Sequence, residues 1–249
     1  MAEKFSHEII EQNLNEIRAN IECAAKESGR SADSVKLLAA TKTVDADTVN
    51  FAISKGVRYI GENRVQELLE KYEKYDLANA ELHFIGRLQT NKVKYIIDKV
   101  KLIHSVDSLH LAEEIDRQAA KHDLCMDILV EVNAAGEASK GGVGYDEVYQ
   151  LLDGISRLEN VHVKGLMTIP PKLVLPAEGT LTCGCSEKIY KNREFFNKIL
   201  HLFLDISEKK LDNIDMYELS AGMSDDYEEA VRNGSTMVRL GRAIFGERQ

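Results

Sequence analysis

The chain has 249 residues, a length typical of a single α/β barrel, and 44% of them are hydrophobic, which is enough for a large core. The formal net charge of −9 argues against nonspecific nucleic-acid binding, because such binding depends on Lys and Arg side chains that neutralise phosphates. Four cysteines in a chain of this size imply no disulfide framework.

The amino terminus carries no targeting pattern. Residues 1–5 lack the basic and then apolar run of a signal peptide. No apolar run in the sequence approaches the length needed to span a bilayer. We therefore expect a cytoplasmic protein that has neither a membrane nor a nucleic acid as partner.

Helical and strand patterns alternate along the chain. Apolar residues at helical spacing predict an amphipathic helix over 6–28, ahead of the first strand. Short apolar runs then predict eight strands, over 35–40, 58–60, 82–85, 101–104, 126–132, 161–166, 216–219 and 236–240. Helical patterns separate these strands, over about 45–55, 61–72, from about 92, 109–120, 145–158, 195–206 and 225–232.

This alternation indicates one architecture. Strands that alternate with helices favour a parallel sheet, and eight such units favour a closed (β/α)8 barrel of the TIM type. We expect a single α/β domain over residues 1–249, with an extra N-terminal helix in the place that a final helix would take. The proline- and glycine-containing segment from about 170 to 186 reads as an irregular loop.

Functional sites of such barrels form at the carboxyl ends of the strands. Lys42 follows the first strand, where it is either a surface lysine or a nucleophile that points into the barrel mouth. Position alone favours the surface lysine, because most lysines are exposed. His83, in the third strand, reads as a satisfied core or mouth histidine rather than as a metal ligand.

The loops after the last two strands suggest an anion site. Gly222, Ser224 and Gly241 would let backbone N–H groups and a hydroxyl approach a phosphate. Asp225 and Asp226 count against a phosphate there unless both carboxylates point away.

Taken together, these positions suit pyridoxal phosphate. The aldehyde of that cofactor would meet Lys42, its phosphate would meet the two loops, and its ring nitrogen would meet Arg239. Arg239 would also favour the neutral, nucleophilic form of a nearby lysine amine. An always-charged Arg keeps the ring nitrogen unprotonated, which disfavours broad carbanion chemistry.

Six motifs closely resemble the pyridoxal phosphate homeostasis protein family: 39–43, 61–67, 83–92, 165–170, 219–226 and 234–241. The resemblance implies a barrel similar to the alanine racemase N-terminal domain, with the cofactor held as a Schiff base on Lys42. It implies that Ser224, Gly241 and Arg242 hold the phosphate and that Arg239 faces the ring nitrogen. The other residues that it places near the cofactor are Asn63, Ser220 and Met223.

The chain departs from the family pattern at three places. Ala221 stands where a larger Met is usual, and Arg242 stands where Thr or Ser is common. Residues 172–187 look like an insertion, and it contains Cys183 and Cys185. We interpret these two cysteines as free loop thiols and predict no metal site.

Three functions remain open from the sequence. The resemblance favours a non-enzymatic binder that keeps the supply of pyridoxal phosphate in balance, with pyridoxal-phosphate-dependent enzymes as candidate recipients. We expect a monomer, because no second domain is predicted that would complete a shared site. An amino-acid racemase of the alanine racemase type is the alternative, but it needs acid–base groups on both faces of its substrate. Because the last predicted strand lies shortly before Gln249, we expect this chain to lack the further domain that supplies the second group in such racemases. A cofactor-free lysine aldolase would leave the phosphate loops without a role, unless its substrate is phosphorylated.

Overall fold

The computed structural model describes residues 6–137, 141–171 and 184–246. The β-strands in these ranges are β1 Lys36–Ala40, β2 Tyr59–Glu62, β3 Glu81–Phe84, β4 Leu102–Val106, β5 Met126–Asn133, β6 Val143–Gly144, β7 Val161–Thr168, β8 Ile214–Ser220 and β9 Met237–Leu240. The α-helices are α1 His7–Glu27, α2 Ala46–Ser54, α3 Val65–Lys71, α4 Leu109–Lys121, α5 Val148–Ile155, α6 Gly184–Ser207, α7 Tyr227–Arg232 and α8 Arg242–Phe245. Four 3₁₀ helices join them, at Ala32–Ser34, Tyr72–Lys74, Thr90–Tyr95 and Tyr145–Glu147.

The strands form a closed parallel barrel. Their order is β4-β3-β2-β1-β9-β8-β7-β5, and the pairing of β4 with β5 closes the ring. The two-residue β6 pairs with the end of β5 outside this ring. The predicted (β/α)8 fold is therefore confirmed.

The core has two parts, one on each side of the barrel wall. A large apolar cluster fills the space between the strands and the surrounding helices. A smaller cluster fills the barrel interior and consists of Leu38, Ala40, Ile85, Leu102, Leu129, Met167 and Met237. Because both faces of each strand are covered, the strands read as nearly continuous apolar runs in the sequence.

The N-terminal helix α1 packs beside the last elements of the chain. Asn13 Nδ2 donates to the Ile244 carbonyl oxygen (2.9 Å), and Asn20 Nδ2 donates to the Tyr227 hydroxyl (2.9 Å). Its apolar stripe, which includes Ile10, is buried. These contacts with α7 and α8 place α1 next to β9, where the sequence predicts that it completes the outer layer.

Two elements differ from the sequence prediction. The helix expected from about residue 92 is instead the 3₁₀ helix Thr90–Tyr95, followed by turns, so that prediction was wrong. These tight turns bury Val93, Ile96 and Ile97, whose spacing is the same as that on the buried face of an α-helix. Helix α6 begins at Gly184, so the irregular loop ends earlier than expected. No helix in the described ranges is both long and apolar enough to cross a membrane.

One glycine in the barrel wall marks a close approach between strands. Gly165 in β7 has φ +150°, and a Cβ atom there would lie 1.9 Å from the Glu218 carbonyl oxygen in β8. The strand register also shifts between Val163 and Gly165. Both the backbone conformation and the lack of space therefore require glycine at this position.

We expect Gly165→Ala to lower the free energy of unfolding by roughly 3 kcal/mol or more, because the added methyl group must push β7 away from β8. Gly29→Ala is the matched control: φ is +73°, but a Cβ atom meets nothing within 4 Å in the described chain. That control should lose only about 1 kcal/mol, from backbone conformation alone. Urea unfolding followed by circular dichroism measures both losses, and equal losses would contradict the steric explanation.

Candidate functional site

A cleft of about 460 Å³ opens at the carboxyl ends of the strands. Its lining comes from the ends of six strands, β1, β2, β3, β7, β8 and β9, or from the loops that follow them. The lining residues are Ala40, Lys42, Asn63, Ile85, Ile169, Met223, Ser224, Asp225, Arg239, Gly241 and Arg242. This volume is in the range of small-molecule sites.

Most of the predicted site residues meet in this cleft. Those that line it are Lys42, Asn63, Met223, Ser224, Arg239, Gly241 and Arg242. The remaining one, Ser220, is fully buried and lies behind Arg239 rather than in the lining. Sequence reasoning missed the apolar part of the wall, formed by Ala40, Ile85 and Ile169. Their position at or just after strand ends is the signal that could have identified them.

Arg239 is the buried cation of the site. Its Nη1 atom donates to the carbonyl oxygen and to Oγ of Ser220, both at 2.7 Å, and its Nη2 atom donates to the Thr168 carbonyl oxygen at 2.9 Å. Burial lowers the pKa of Arg239 to about 10, and the nearby carboxylates of Glu131 and Asp226 oppose this shift. The guanidinium therefore stays charged at neutral pH and is held in one orientation by β7 and β8.

A chain of buried polar side chains continues from Arg239 into the barrel. Ser220 Oγ lies 3.1 Å from His104 Nδ1, and His104 Nε2 lies 3.0 Å from His83 Nδ1. His83 Nε2 then faces the Glu81 carboxylate at 3.6 Å. We call the line Ser220–His104–His83 the interior polar column. His83 is thus a core histidine, as its sequence context indicates, with Nδ1 paired to His104 and Nε2 in ionic contact with Glu81 but without a hydrogen bond among the described residues.

The Glu81 end of the interior polar column bears on its protons. The Glu81 carboxylate favours a proton on His83 Nε2, which leaves His83 Nδ1 to accept from His104 Nε2–H and His104 Nδ1 to accept from the Ser220 hydroxyl. We therefore assign the Nε2–H tautomer to both histidines. Burial lowers the pKa of His83 and lowers the pKa of His104 well below its usual value. The nearby Arg239 charge lowers the pKa of His104 further. Both rings are therefore neutral in the folded protein at neutral pH.

The loops after β8 and β9 are fastened to each other. Ser224 Oγ accepts a hydrogen bond from the Ala243 N–H (3.1 Å), so Ser224 caps α8 and not the helix that follows it in the chain. A Cβ atom at Gly222, where φ is +96°, would lie 2.7 Å from the Ala230 Cβ atom. Glycine therefore lets the β8 loop lie close against α7 and reach Gly241 across the cleft.

The two acidic residues of the β8 loop are both engaged. Asp225 forms an ion pair with Arg242. Asp226 Oδ1 accepts from the Met223 N–H at 2.7 Å, which holds its carboxylate against its own loop. The carboxylates that counted against an anion site are thus partly neutralised or turned toward the protein. Arg242 in turn shares its charge with Asp225.

Asn63 enters the cleft from the end of β2. A Cβ atom at Gly86 would lie 2.1 Å from the Asn63 carbonyl oxygen, so glycine at 86 is needed for this approach. Asn63 Oδ1 is buried and has no hydrogen-bond partner among the described residues. A buried polar atom of this kind costs free energy unless a ligand or water satisfies it. Asn63 Oδ1 is an acceptor and therefore fits a donor group on a ligand. Lys42, Arg239 and Arg242 bring the positive charge that fits an anionic ligand.

Metal binding has no support in the described chain. No group of three or more His, Cys, Asp or Glu side chains there could hold a metal ion. Cys183 and the segment 172–183 lie outside the described residues, as does the side chain of Cys185, so their predicted role as free loop thiols stays a prediction.

The chain is similar in sequence to proteins of known family. Residues 12–249 match the family model described as alanine racemase, N-terminal domain. A pyridoxal phosphate homeostasis protein of Aquifex aeolicus is 41% identical over 238 residues, which cover 96% of this chain and 98% of that protein. The chain belongs to the pyridoxal phosphate homeostasis protein family. The homologue of this family from Escherichia coli strain K12 is 33% identical over 242 residues, with coverage of 96% and 97%.

Solved structures of similar chains agree with this family. PipY of Synechococcus elongatus, in a structure described as having PLP bound, superposes with a TM-score of 0.78 at 28% identity, covering 95% of this chain and 100% of that one. A protein of unknown function from Bifidobacterium adolescentis gives a TM-score of 0.85 at 34% identity, covering 96% and 95%. The family match extends over every residue that lines the cleft.

The interior polar column predicts a pH dependence of stability. The unfolded chain protonates a histidine near pH 6.5, whereas the folded barrel holds His83 and His104 neutral. The unfolded state then binds more protons below pH 6.5, so stability falls as the pH drops. We expect His104→Gln to remove about 1 kcal/mol of the loss measured between pH 7.5 and 5.5.

His110→Gln is the matched control, because His110 is exposed on α4. It should leave the pH profile of the unfolding free energy unchanged. Urea unfolding at a series of pH values measures all three proteins. A His104→Gln profile that is parallel to that of the unmodified protein would show that His104 is protonated in the barrel.

Proposed function

We propose that this chain binds pyridoxal 5′-phosphate in the cleft as a Schiff base on Lys42, and that it acts in intracellular homeostasis of that cofactor without catalytic turnover. The observation that carries the proposal is the meeting of Lys42, Arg239 and the Ser224 and Gly241 loops in one cleft. The names of the homologues and the PLP-bound PipY structure support it.

Different residues of the cleft would contact different parts of the ligand. Pyridoxal phosphate supplies an aldehyde, with which a neutral lysine amine condenses with loss of one water. Lys42 would supply this amine from the end of β1, and the Arg239 charge favours its neutral form. Arg239 would also face the ring nitrogen, since it is held in place by Ser220 and Thr168.

The loops after β8 and β9 would hold the phosphate. Ser224, Gly241 and Arg242 supply a hydroxyl, main-chain N–H groups and a guanidinium to that end of the cleft. A donor group of the ligand would satisfy Asn63 Oδ1. Met223 would cover the ligand from the β8 loop. Ser220 would act on the ligand only through Arg239, because it lies behind that side chain.

A binding role without turnover fits the lining of the cleft. Two-base racemisation needs a proton-transferring group on each face of the substrate. Among the described residues of the lining, Lys42 is the one side chain suited to transfer a proton near neutral pH. Asp225 is paired with Arg242, and arginines do not exchange protons in this pH range. An amino-acid racemase is therefore the weaker candidate.

A homeostatic role would require proteins that receive the bound cofactor. Pyridoxal-phosphate-dependent enzymes would be the recipients of the bound cofactor. We propose a monomer, since every group assigned to the ligand belongs to this chain.

Purified protein should gain a near-visible absorption band on addition of pyridoxal phosphate. We expect Lys42→Ala to abolish this band and to weaken binding about tenfold or more, because the covalent bond is lost. Lys121→Ala, a change of an exposed lysine on α4, is the control and should bind as the unmodified protein does. An absorbance titration measures the three proteins. A protein that stays colourless would overturn the proposal.

The loaded protein should not interconvert amino-acid enantiomers. We expect chiral chromatography of L- or D-alanine incubated with it to show no racemisation beyond that of free pyridoxal phosphate, since the lining offers a single base. Steady conversion that disappears in Lys42→Ala would instead identify the chain as a racemase.

A further inference from the structure

Behind Lys42, the end of β1 is fastened to β2 by a buried carboxylate. Glu62, the last residue of β2, is fully buried. Its Oε1 atom accepts hydrogen bonds from Thr41 Oγ1 at 2.8 Å and from the Tyr75 hydroxyl at 2.5 Å. Its Oε2 atom has no partner among the described residues, so the hydrogen bonds of this carboxylate that the structure shows are all made by Oε1. A carboxylate in such a place needs a compensating cation.

Lys71, in the last turn of α3, is that cation. Its Nζ atom donates to Glu62 Oε1 (3.1 Å) and to Glu67 Oε1 (2.6 Å). It also donates to the Thr41 carbonyl oxygen at 3.1 Å. The ammonium therefore joins a buried carboxylate, a helix carboxylate and the peptide unit that precedes Lys42.

The residue after Lys42 is held from the same helix. Thr43 has φ +66°, a conformation that costs a β-branched residue free energy and persists only where neighbours enforce it. Glu67 Oε1 accepts a hydrogen bond from the Thr43 N–H at 2.5 Å. Burial opposes ionisation of Glu67, but its hydrogen bonds from Lys71 and Thr43 outweigh this and lower its pKa.

Lys71 and Glu67 thus hold the main chain on the two sides of Lys42, and Glu62 holds Lys71 and the Thr41 side chain. We call these three residues the β1 clamp. We propose that the β1 clamp positions the Lys42 amine for bond formation with an aldehyde ligand in the cleft, so that these three are positioning residues. None of the three lines the cleft, so they would act only through residues 41–43. The inference rests on the proposed function.

The position of the clamp explains why its effect should be specific. It fixes the approach of one amine to one carbon, while Ser224, Gly241 and Arg239 hold the rest of the ligand from the other side of the cleft. Small displacements of a reacting group lower bond formation far more than they lower binding. A ligand that lacks the aldehyde should therefore not depend on the clamp.

Glu67→Ala tests this, because it removes the acceptor for the Thr43 N–H and leaves Glu62 and Lys71 paired. Pyridoxal phosphate and pyridoxine 5′-phosphate, which has an alcohol in place of the aldehyde, are the two probes. We expect the dissociation constant for pyridoxal phosphate to rise about tenfold or more and that for pyridoxine 5′-phosphate to change by less than about twofold. Glu67→Gln, which keeps an acceptor oxygen, should restore most of the difference.

Glu70→Ala is the matched control on the same helix, since Glu70 is exposed. The double variant Glu62→Gln with Lys71→Met removes both buried charges together and gives a second test if Glu67→Ala does not fold. Folding is checked by circular dichroism before each titration.

The outcomes separate the two proposals. An unmodified protein that forms no absorption band with pyridoxal phosphate would overturn the proposed function itself. An unmodified protein that forms the band, with variants that lose both probes equally or lose neither, would overturn the clamp alone. Loss confined to the aldehyde probe supports it.

Discussion

Closure of the barrel is the constraint on which the rest of the structure depends. Pairing of β1 with β9 and of β4 with β5 brings the carboxyl ends of all eight strands to one rim. Residues that are far apart in sequence, such as Lys42 and Ser224, become neighbours only because of this closure. The close approach of Gly165 to β8 lies in the same closed wall, at the point where the register between β7 and β8 shifts.

A second constraint is the charge that the barrel encloses. Arg239 is buried, and a buried cation is tolerated only where protein groups replace its water. Thr168 and Ser220 supply acceptors, and His104 supports Ser220 from below. The interior of the barrel is therefore divided between an apolar cluster and the interior polar column. Polar side chains thus occupy space in the barrel interior that apolar side chains could fill. They hold the Arg239 guanidinium in one orientation at the base of the cleft.

The sequence predicts the fold and most of the cleft, for identifiable reasons. Apolar runs such as 126–132 have the length of buried strands, and glycine-containing loops after strands mark the site. It could not predict that 90–95 forms a 3₁₀ helix, because one buried turn and an α-helix show the same apolar spacing. It also missed His104 and the pairing of Asp225 with Arg242. Both depend on contacts across the barrel, which no local pattern encodes.

Several of the groups that line the cleft are held in place by other protein atoms. Arg239 is fixed by carbonyl groups, Ser224 by the α8 N–H group at Ala243, and the chain around Lys42 by charges from α3. Such preorganisation favours tight binding, because little conformational freedom is lost when a ligand enters. It does not by itself supply two-base racemisation, which requires a second group that can move a proton. The described lining offers Lys42 for this purpose and pairs Asp225 with Arg242, which supports the proposed role of a protein that holds its ligand without transforming it.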